Sequence, residues 1–506
     1  MKKTLLTLIL FLTVFAGYSV TRVQDVVNEY AMDSVFRYAS IGVSIYDIEK
    51  NEEISGFRSN IANIPASTTK TITFATALSK LGPDFKFKTE VVLDGKTSRN
   101  GKFKGIVRVI GGGDPSLDSK YLKQEKSFVK SVVEALQNKG ITEIEGEIEV
   151  ITSDYNDSYN LNWGLDDVAY EYGTGAYKFN YYDNSFVIPV TINSHSITYD
   201  KDEMDLYEMK LKDDLHRYSQ TSKIPFPGIN IIRPVGDDYV SLSGYVKDGK
   251  KQTRRFYCSL AKPDEFFKNV LKRELSLNKI EFKAKKINKR KLKGTPETLL
   301  VYESLPLSDI AASALHRSDN MFTECTLRAM GVKEYGVWNG DMSVGIVKKY
   351  WKEKGLDVDQ LFMSDGSGLA RKNKITASFI SAVLSNAYLT GLDHNIDYQK
   401  LFPLAGKTGT VKVLLKNSPY AGKFAVKSGS MGDVLCYAGY FPTDNPKYTI
   451  TLMQNNYLCS NPELRKKINE MLEKLFPLLE NMNEETIEKE NYEEILKNSK
   501  ILNEGD

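Results

Sequence analysis

"IPASTTKTITFATALSKLGPDF", Ile64–Phe85, is the stretch on which the reading of the whole chain turns. Pro65 closes the segment before it, and Gly82-Pro83 closes the run after it, because proline removes a backbone donor and fixes φ. Between them, Thr68 to Leu81 has helical periodicity. Residues three apart share a helix face, so Lys70 reaches the hydroxyl of Ser67. A serine hydroxyl is a weak nucleophile until a base takes its proton. Lysine can be that base where burial or neighbouring cations bring its pKa toward neutrality. A helix N-terminus beneath the serine also presents N–H groups of the kind an oxyanion needs. The spacing alone is common, and an N-cap serine beside an exposed lysine is the plain structural alternative.

Two more elements change that balance. Ser318-Asp319-Asn320, in "LHRSDNMFTE", falls between two helical stretches. There a loop can project a hydroxyl and an amide into a cleft, although all three residue types are also ordinary N-caps. The third element is a lysine, a hydroxyl and a glycine on a strand. The lysine supplies a cation for a carboxylate, and the glycine lets a substrate backbone lie along the strand edge. The chain offers it twice, as Lys407-Thr408-Gly409-Thr410 and as Lys427-Ser428-Gly429-Ser430. The first runs on into the basic, proline-containing "VKVLLKNSPYAGKF". The second is followed by a tight turn at Met431–Asp433, then "VLCYAGYFP", "YTITLMQ" and a terminal helix. Antiparallel strands joined by a tight turn provide an edge with which an extended peptide can pair. Strand context therefore selects Lys427, and Lys407 is expected to be a decoy.

Composition narrows the classes. A chain of 506 residues suggests two or three domains, and a formal charge of +3 gives no support for a nucleic-acid partner. His195, His216, His316 and His394 make no zinc spacing, and there is no G-x-S-x-G elbow, P-loop or strand-anchored G-x-G-x-x-G. "GGGDP" at Gly111–Pro115 reads as a tight turn. Cys258, Cys325, Cys436 and Cys459 are widely spaced, and no bridge is expected. "MKKTLLTLILFLTVFAGYSV" has two lysines and an apolar run from Leu5 to Ala16, the layout of a signal peptide (residues 1–19), with cleavage after Ala16 or Ser19. The mature chain is then exported, to the periplasm or cell envelope.

Along the chain, "VFRYASIGVSIYDIEKNEEI" reads as a hairpin turning at Glu49–Asn51. Short β runs follow, with a helix near Ser127–Lys139, a β-like region from Asn180 to Val246 and an amphipathic helix in "PDEFFKNVLKRELSLNKI". The basic run Phe282–Gly294 reads as a solvated strand or linker rather than a surface for an acidic wall polymer. The last amphipathic helix is expected to pack on its own domain's sheet rather than lie on a membrane, and a polar, acidic tail, frayed or disordered, is expected over 483–506.

The ordered set S-x-x-K, S-D-N, K-[T/S]-G resembles that of penicillin-binding proteins and serine β-lactamases. "GIVRVIGGGDPSL", "NWGLDDVAYEYGTGAYKFNYYDN", "LSDIAASALHRSDNMFTECTLRAMG" and "MSDGSGLARKN" extend the likeness to the D-alanyl-D-alanine carboxypeptidase/endopeptidase family, the class C low-molecular-mass penicillin-binding proteins. The resemblance covers about Tyr38 to Gln454. It implies an α/β (α+β) fold: a transpeptidase-like domain (22–90 and 297–482), an antiparallel sheet with helices on both faces plus a helical subdomain, carrying two inserted mainly-β domains (91–178 with 262–296, and 179–261). "AGKFAVKSGSMGDVLCYAGY" resembles the family's third-motif segment.

The resemblance further implies Ser67 as acylated nucleophile, Lys70 as its base, and Ser318 and Asn320 as proton relay and substrate holder. Lys427, Ser428, Gly429 and Ser430 would bind the terminal carboxylate, with the N–H groups of Ser67 and Ser430 as oxyanion hole. Trp163 and Asp166, in "WGLD", would hold the free amine of a donor side chain, or would simply pack the inserted domain. The implied partners are peptidoglycan stem peptides and β-lactams, with no cofactor or metal and with room for peripheral wall or membrane association. A catalytically degenerate wall-binding homologue is the alternative.

Overall fold

The structure is a computed structural model that describes residues 22–218, 228–247, 251–292 and 295–503. The expected signal peptide lies outside the described residues. A helical segment over residues 22–31, packed on the main sheet through Val23, Val27 and Tyr30, precedes the hairpin β1 (Ser40–Asp47) and β2 (Glu52–Phe57), turned at Asn51 with φ 53°, and then helix α1 (Thr69–Leu81). α1 ends at Gly82, φ 91°, followed by Pro83. It is buried on every face from Thr69 to Leu78 despite its threonines. Their hydroxyls bond to helix carbonyls: Thr71 to Thr68 O (2.8 Å) and Thr76 to Ile72 O (2.8 Å). A threonine satisfied this way carries no unpaired donor into a core.

The chain then leaves this domain through β3 (Lys88–Thr97), β4 (Lys102–Ile110), α2 (Phe128–Asn138), β5 (Glu143–Ile151), β6 (Ser185–Ile192), β7 (Ile197–Thr198), β8 (Lys210–Tyr218), β9 (Ile229–Ile232), β10 (Tyr239–Lys247), β11 (Gln252–Ser259), α3 (Pro263–Leu277), β12 (Glu281–Ala284) and β13 (Glu297–Glu303). These make a mixed five-stranded sheet, β12-β5-β4-β3-β13, and two three-stranded sheets, β8-β10-β9 and β11-β6-β7. β13, placed by the sequence boundaries at the start of the peptidase return, pairs antiparallel with β3 in the inserted sheet. One apolar cluster, with Phe128, Phe179, Tyr181, Phe186, Phe266 and Phe267 at its centre, runs through both inserted parts. The basic run meets its counter-charges on β5. Alternate glutamates face one side of that strand, where Lys285 reaches Glu145 at 2.5 Å and Lys289 reaches Glu149 at 2.5 Å.

The return comprises α4 (Leu307–Arg317), α5 (Asn320–Tyr335), α6 (Gly340–Glu353), the pair β14 (Leu361–Phe362) and β15 (Lys374–Ile375), α7 (Ala377–Thr390), β16 (Ala425–Met431), β17 (Val434–Phe441), β18 (Tyr448–Asn455) and α8 (Asn461–Asn503). The main sheet is antiparallel, in the order β16-β17-β18-β1-β2. β17 and β18 are buried at every position, because helices cover both faces. One face packs on α1 and the helical subdomain through Cys436, Ala438, Tyr440 and Met453. The other packs on Leu464, Ile468, Leu472, Leu475, Phe476 and Leu479 of α8, the helical i, i+4 stripe of an amphipathic helix. The last helix therefore lies on its own sheet. It also continues to Asn503, where a frayed tail was expected from Asn483. That segment holds no Gly or Pro before Gly505 and is rich in Glu and Lys, which favour helix. The four cysteines are free thiols. Among the described residues no helix is long and apolar enough to cross a membrane.

Candidate active site

The main sheet, α1 and the α4–α5 corner converge on one cleft. Ser67 sits in a single 3-10 turn, Ala66–Thr68, that leads directly into α1. Ala66 before it has φ 46°, a left-handed conformation that a non-glycine residue holds only where its surroundings impose it. Lys70 is fully buried one turn on, with Nζ 2.9 Å from Ser67 Oγ, 2.5 Å from Asn320 Oδ1 and 2.6 Å from Ser367 O. Burial lowers the Lys70 pKa from 10.5 to about 8, against the partial support of the Asp365, Asp319 and Glu324 carboxylates. A neutral lysine amine has two N–H groups and one lone pair. With Asn320 Oδ1 and Ser367 O taking the two N–H groups, the lone pair faces the Ser67 hydroxyl. The arrangement can accept the serine proton without further movement.

The S-D-N corner serves both as a cap and as part of the cleft. Ser318 closes α4 with φ 63°, and the Asp319 side chain N-caps α5, accepting from Phe322 N at 3.0 Å. Capping by Asp319 leaves Ser318 and Asn320 to face inward. Lys427 Nζ donates to Ser318 Oγ at 3.0 Å. Asn320 is fixed as acceptor toward Lys70 and donates through Nδ2 to Tyr172 O at 2.7 Å, linking the corner to the inserted portion. An amide nitrogen carries two N–H groups, so one remains for a ligand.

Lys427 is buried on β16 and its pKa is pushed well down by burial and by the nearby Lys70 charge. Two ammonium groups in one dry cleft disfavour each other, and a bound carboxylate would restore charge to Lys427. Gly429 lies on the same side of the strand, two residues on. A Cβ there would come 2.7 Å from Pro65 O and 2.9 Å from Ser67 N. Only glycine lets the strand approach the Ser67 turn this closely. β16 lies at the edge of the sheet; its first part pairs outward with the 403–405 segment (Val426 N to Pro403 O, 2.8 Å), and the strand beyond runs along the cleft. Ser428 is half-buried and Ser430 exposed at the rim. Lys407 lies elsewhere: its signature folds as a turn, with a 3-10 segment at Gly409–Val411, and its side chain is exposed. Thr410 of that turn nonetheless touches the site, its Oγ1 lying 2.7 Å from Ser428 Oγ.

The loop Ser364–Ala370 also contributes, although no residue of it was singled out from the sequence. Glu324 Oε1 accepts from Gly366 N (2.9 Å) and Ser367 N (2.8 Å), and its other oxygen pairs with Arg328 at 2.7 Å in full burial. Asp365 accepts from Gly368 N, Ala370 N and Asn373 Nδ2. Together they aim the Ser367 carbonyl at Lys70. The nearest sequence signal was the glycine-rich "SDGSG". Trp163 is buried, and its indole N–H donates to Asp365 Oδ2 at 2.7 Å, so it packs against this loop. Asp166 is exposed three residues further along the same inserted loop.

A model of the D-Ala-D-Ala carboxypeptidase 3 (S13) family matches residues 23–475. The D-alanyl-D-alanine carboxypeptidase DacB of Haemophilus influenzae is 23% identical over 441 residues, covering 85% of this chain and 88% of that protein. A D-alanyl-D-alanine carboxypeptidase of an Actinomadura species is 23% identical over 462 residues, covering 87% of this chain and 82% of that protein. The crystal structure of penicillin binding protein 4 from Haemophilus influenzae superposes with a TM-score of 0.74 at 20% identity, over 90% of this chain and 99% of that one. A second structure of that protein, complexed with a β-lactam, gives a TM-score of 0.70 at 22% identity, over 90% and 99%. The fold is shared almost from end to end, and the chain belongs to the D-Ala-D-Ala carboxypeptidase 3 (S13) family of serine-type carboxypeptidases.

Proposed function

We propose that this chain is an exported D,D-peptidase of the cell envelope that works through an acyl-enzyme on Ser67. Ser67 Oγ attacks the carbonyl between the last two D-alanines of a stem peptide while its proton passes to Lys70 Nζ. The oxyanion is received by the N–H groups of Ser67 and Ser430. The C–N bond breaks, and the leaving amine takes its proton through Ser318, which Lys427 contacts. Water then attacks the ester, Lys70 again taking a proton, and the shortened peptide leaves. Asn320 holds the substrate amide, and Lys427, Ser428, Gly429 and the Ser430 backbone hold the terminal carboxylate and the extended chain. A D-alanyl-diaminopimelate crosslink is also a D,D bond, so the same steps would cut it, with Trp163 and Asp166 on the donor side chain. Penicillin would acylate Ser67 and leave slowly.

The observation that carries this reading is the buried Lys70 amine, 2.9 Å from Ser67 Oγ, with its pKa brought to about 8. The test is labelling of the purified chain with a fluorescent penicillin, with Ser67→Ala as control, together with an assay of released D-alanine. Labelling and D-alanine release that both vanish in Ser67→Ala are expected. An unlabelled wild type would sink the enzyme reading and leave the wall-binding alternative. Persistence of label in Ser67→Ala would show that another residue is the nucleophile.

A further inference from the structure

The Lys407-Thr408-Gly409-Thr410 signature is not on the site's strand, yet it is tied to it at two places. Gly409 has φ 58°, and a Cβ on it would come 2.7 Å from His316 O at the end of α4 and 2.7 Å from Pro403 Cβ. The Thr408 hydroxyl accepts from Leu404 N at 2.9 Å and closes the turn. Thr410 is thereby held between the S-D-N corner and β16, with its hydroxyl 2.7 Å from that of Ser428, 18 residues later in the chain. Ser428 is also anchored through its backbone, since its carbonyl accepts from Lys427 Nζ.

We propose that Thr410 is a positioning residue for the substrate's terminal carboxylate, acting through Ser428. This rests on the D,D-peptidase reading above. Each hydroxyl carries one proton, so two hydroxyls in contact share one hydrogen bond and leave one O–H to point elsewhere. When Thr410 donates to Ser428 Oγ, the Ser428 proton is the free one, at the rim of the cleft where a carboxylate meets Lys427. A threonine at position 428 would be stiff about χ1 because of its branched Cβ, and serine lacks that restraint. The bond from Thr410 supplies it from outside the strand. The two lysine signatures thus act as one device: the first fixes the hydroxyl of the second.

The experiment measures steady-state hydrolysis of a peptide ending in D-Ala-D-Ala and of its C-terminal amide by the full chain. The variants are Thr410→Val, Thr410→Ser, Ser428→Thr and the double variant Thr410→Val/Ser428→Thr, and each is titrated with fluorescent penicillin to count working sites. Loss of one neutral hydrogen bond predicts that Thr410→Val raises KM for the free acid by about 3- to 10-fold with kcat within about twofold. It should leave the amide's KM unmoved. Thr410→Ser should restore the wild-type value, and Ser428→Thr should make the Thr410→Val change nearly silent. An unchanged KM in Thr410→Val, a failed rescue by Thr410→Ser, or an equal loss on acid and amide overturns the proposal while leaving the peptidase reading standing. A wild type that neither labels nor turns over overturns both.

Discussion

Lys407-Thr408-Gly409-Thr410 and Lys427-Ser428-Gly429-Ser430 differ by two methyl groups in sequence pattern and by almost everything in environment. Lys427 is fully buried, held against Ser318, with its pKa driven down by burial and by Lys70. Lys407 is exposed on a turn. Both central glycines have something passing too close for a Cβ, but the neighbours differ: the Pro65–Thr68 turn for Gly429, and the His316 carbonyl at the end of α4 for Gly409. The same residue pattern thus takes its environment from the surface its backbone presses against. A side chain acquires altered chemistry only where the fold removes water from it.

The sharpest way to break the comparison is to remove each lysine in turn. Lys427→Ala should lower penicillin acylation by roughly 10²–10³-fold, the range expected for deleting one preorganised electrostatic group. Lys407→Ala should stay within about twofold, as surface substitutions do. The reverse result would exchange the two assignments.

The next effect is in pH. In the proposed mechanism Lys70 takes the serine proton only when neutral, so with a pKa of about 8 the acylation rate should rise tenfold per pH unit below that value and level off above it. At pH 6 it should be about 100-fold below its plateau. A profile that is flat from pH 6 to pH 9 would remove Lys70 from the role of base.

The glycines give smaller effects. Gly429→Ala pushes a methyl against Pro65 O and Ser67 N, and should cost about 1–3 kcal/mol in the acylation barrier by displacing the strand from the nucleophile. Gly409→Ala should cost a similar amount in thermal stability, from the strained φ and the contact with His316 O, while altering KM no more than Thr410→Val does. Equal effects of both on acylation would mean that the two turns are not functionally distinct.

Much of this site was legible in the sequence because its motifs are local. Ser67 and Lys70 are linked by helix spacing, Ser318 and Asn320 by a helix-capping corner, and Lys427 by the strand-turn-strand that follows it. What was not legible depends on backbone groups and on distant partners. The Ser367 carbonyl has no sequence signature, and its aim is set by Glu324, 43 residues earlier. The counter-charges of the Phe282–Gly294 run lie on β5, 140 residues away at Lys285–Glu145. Likewise β13 looks like the start of the returning domain until its pairing with β3 is seen, because strand patterns do not name their neighbours. The contact of Thr410 with Ser428 was hidden for the same reason: both motifs were read as rivals, and only their packing makes them partners.

On the proposed mechanism the fold activates Ser67 alone among the hydroxyls of this cleft. Intact-mass measurement of the penicillin-treated chain, followed by peptide mapping, tests it most directly. A single adduct is expected, carried by the peptide containing Ser67. An adduct on Ser318, Ser428 or Thr410, or no adduct at all, would contradict it.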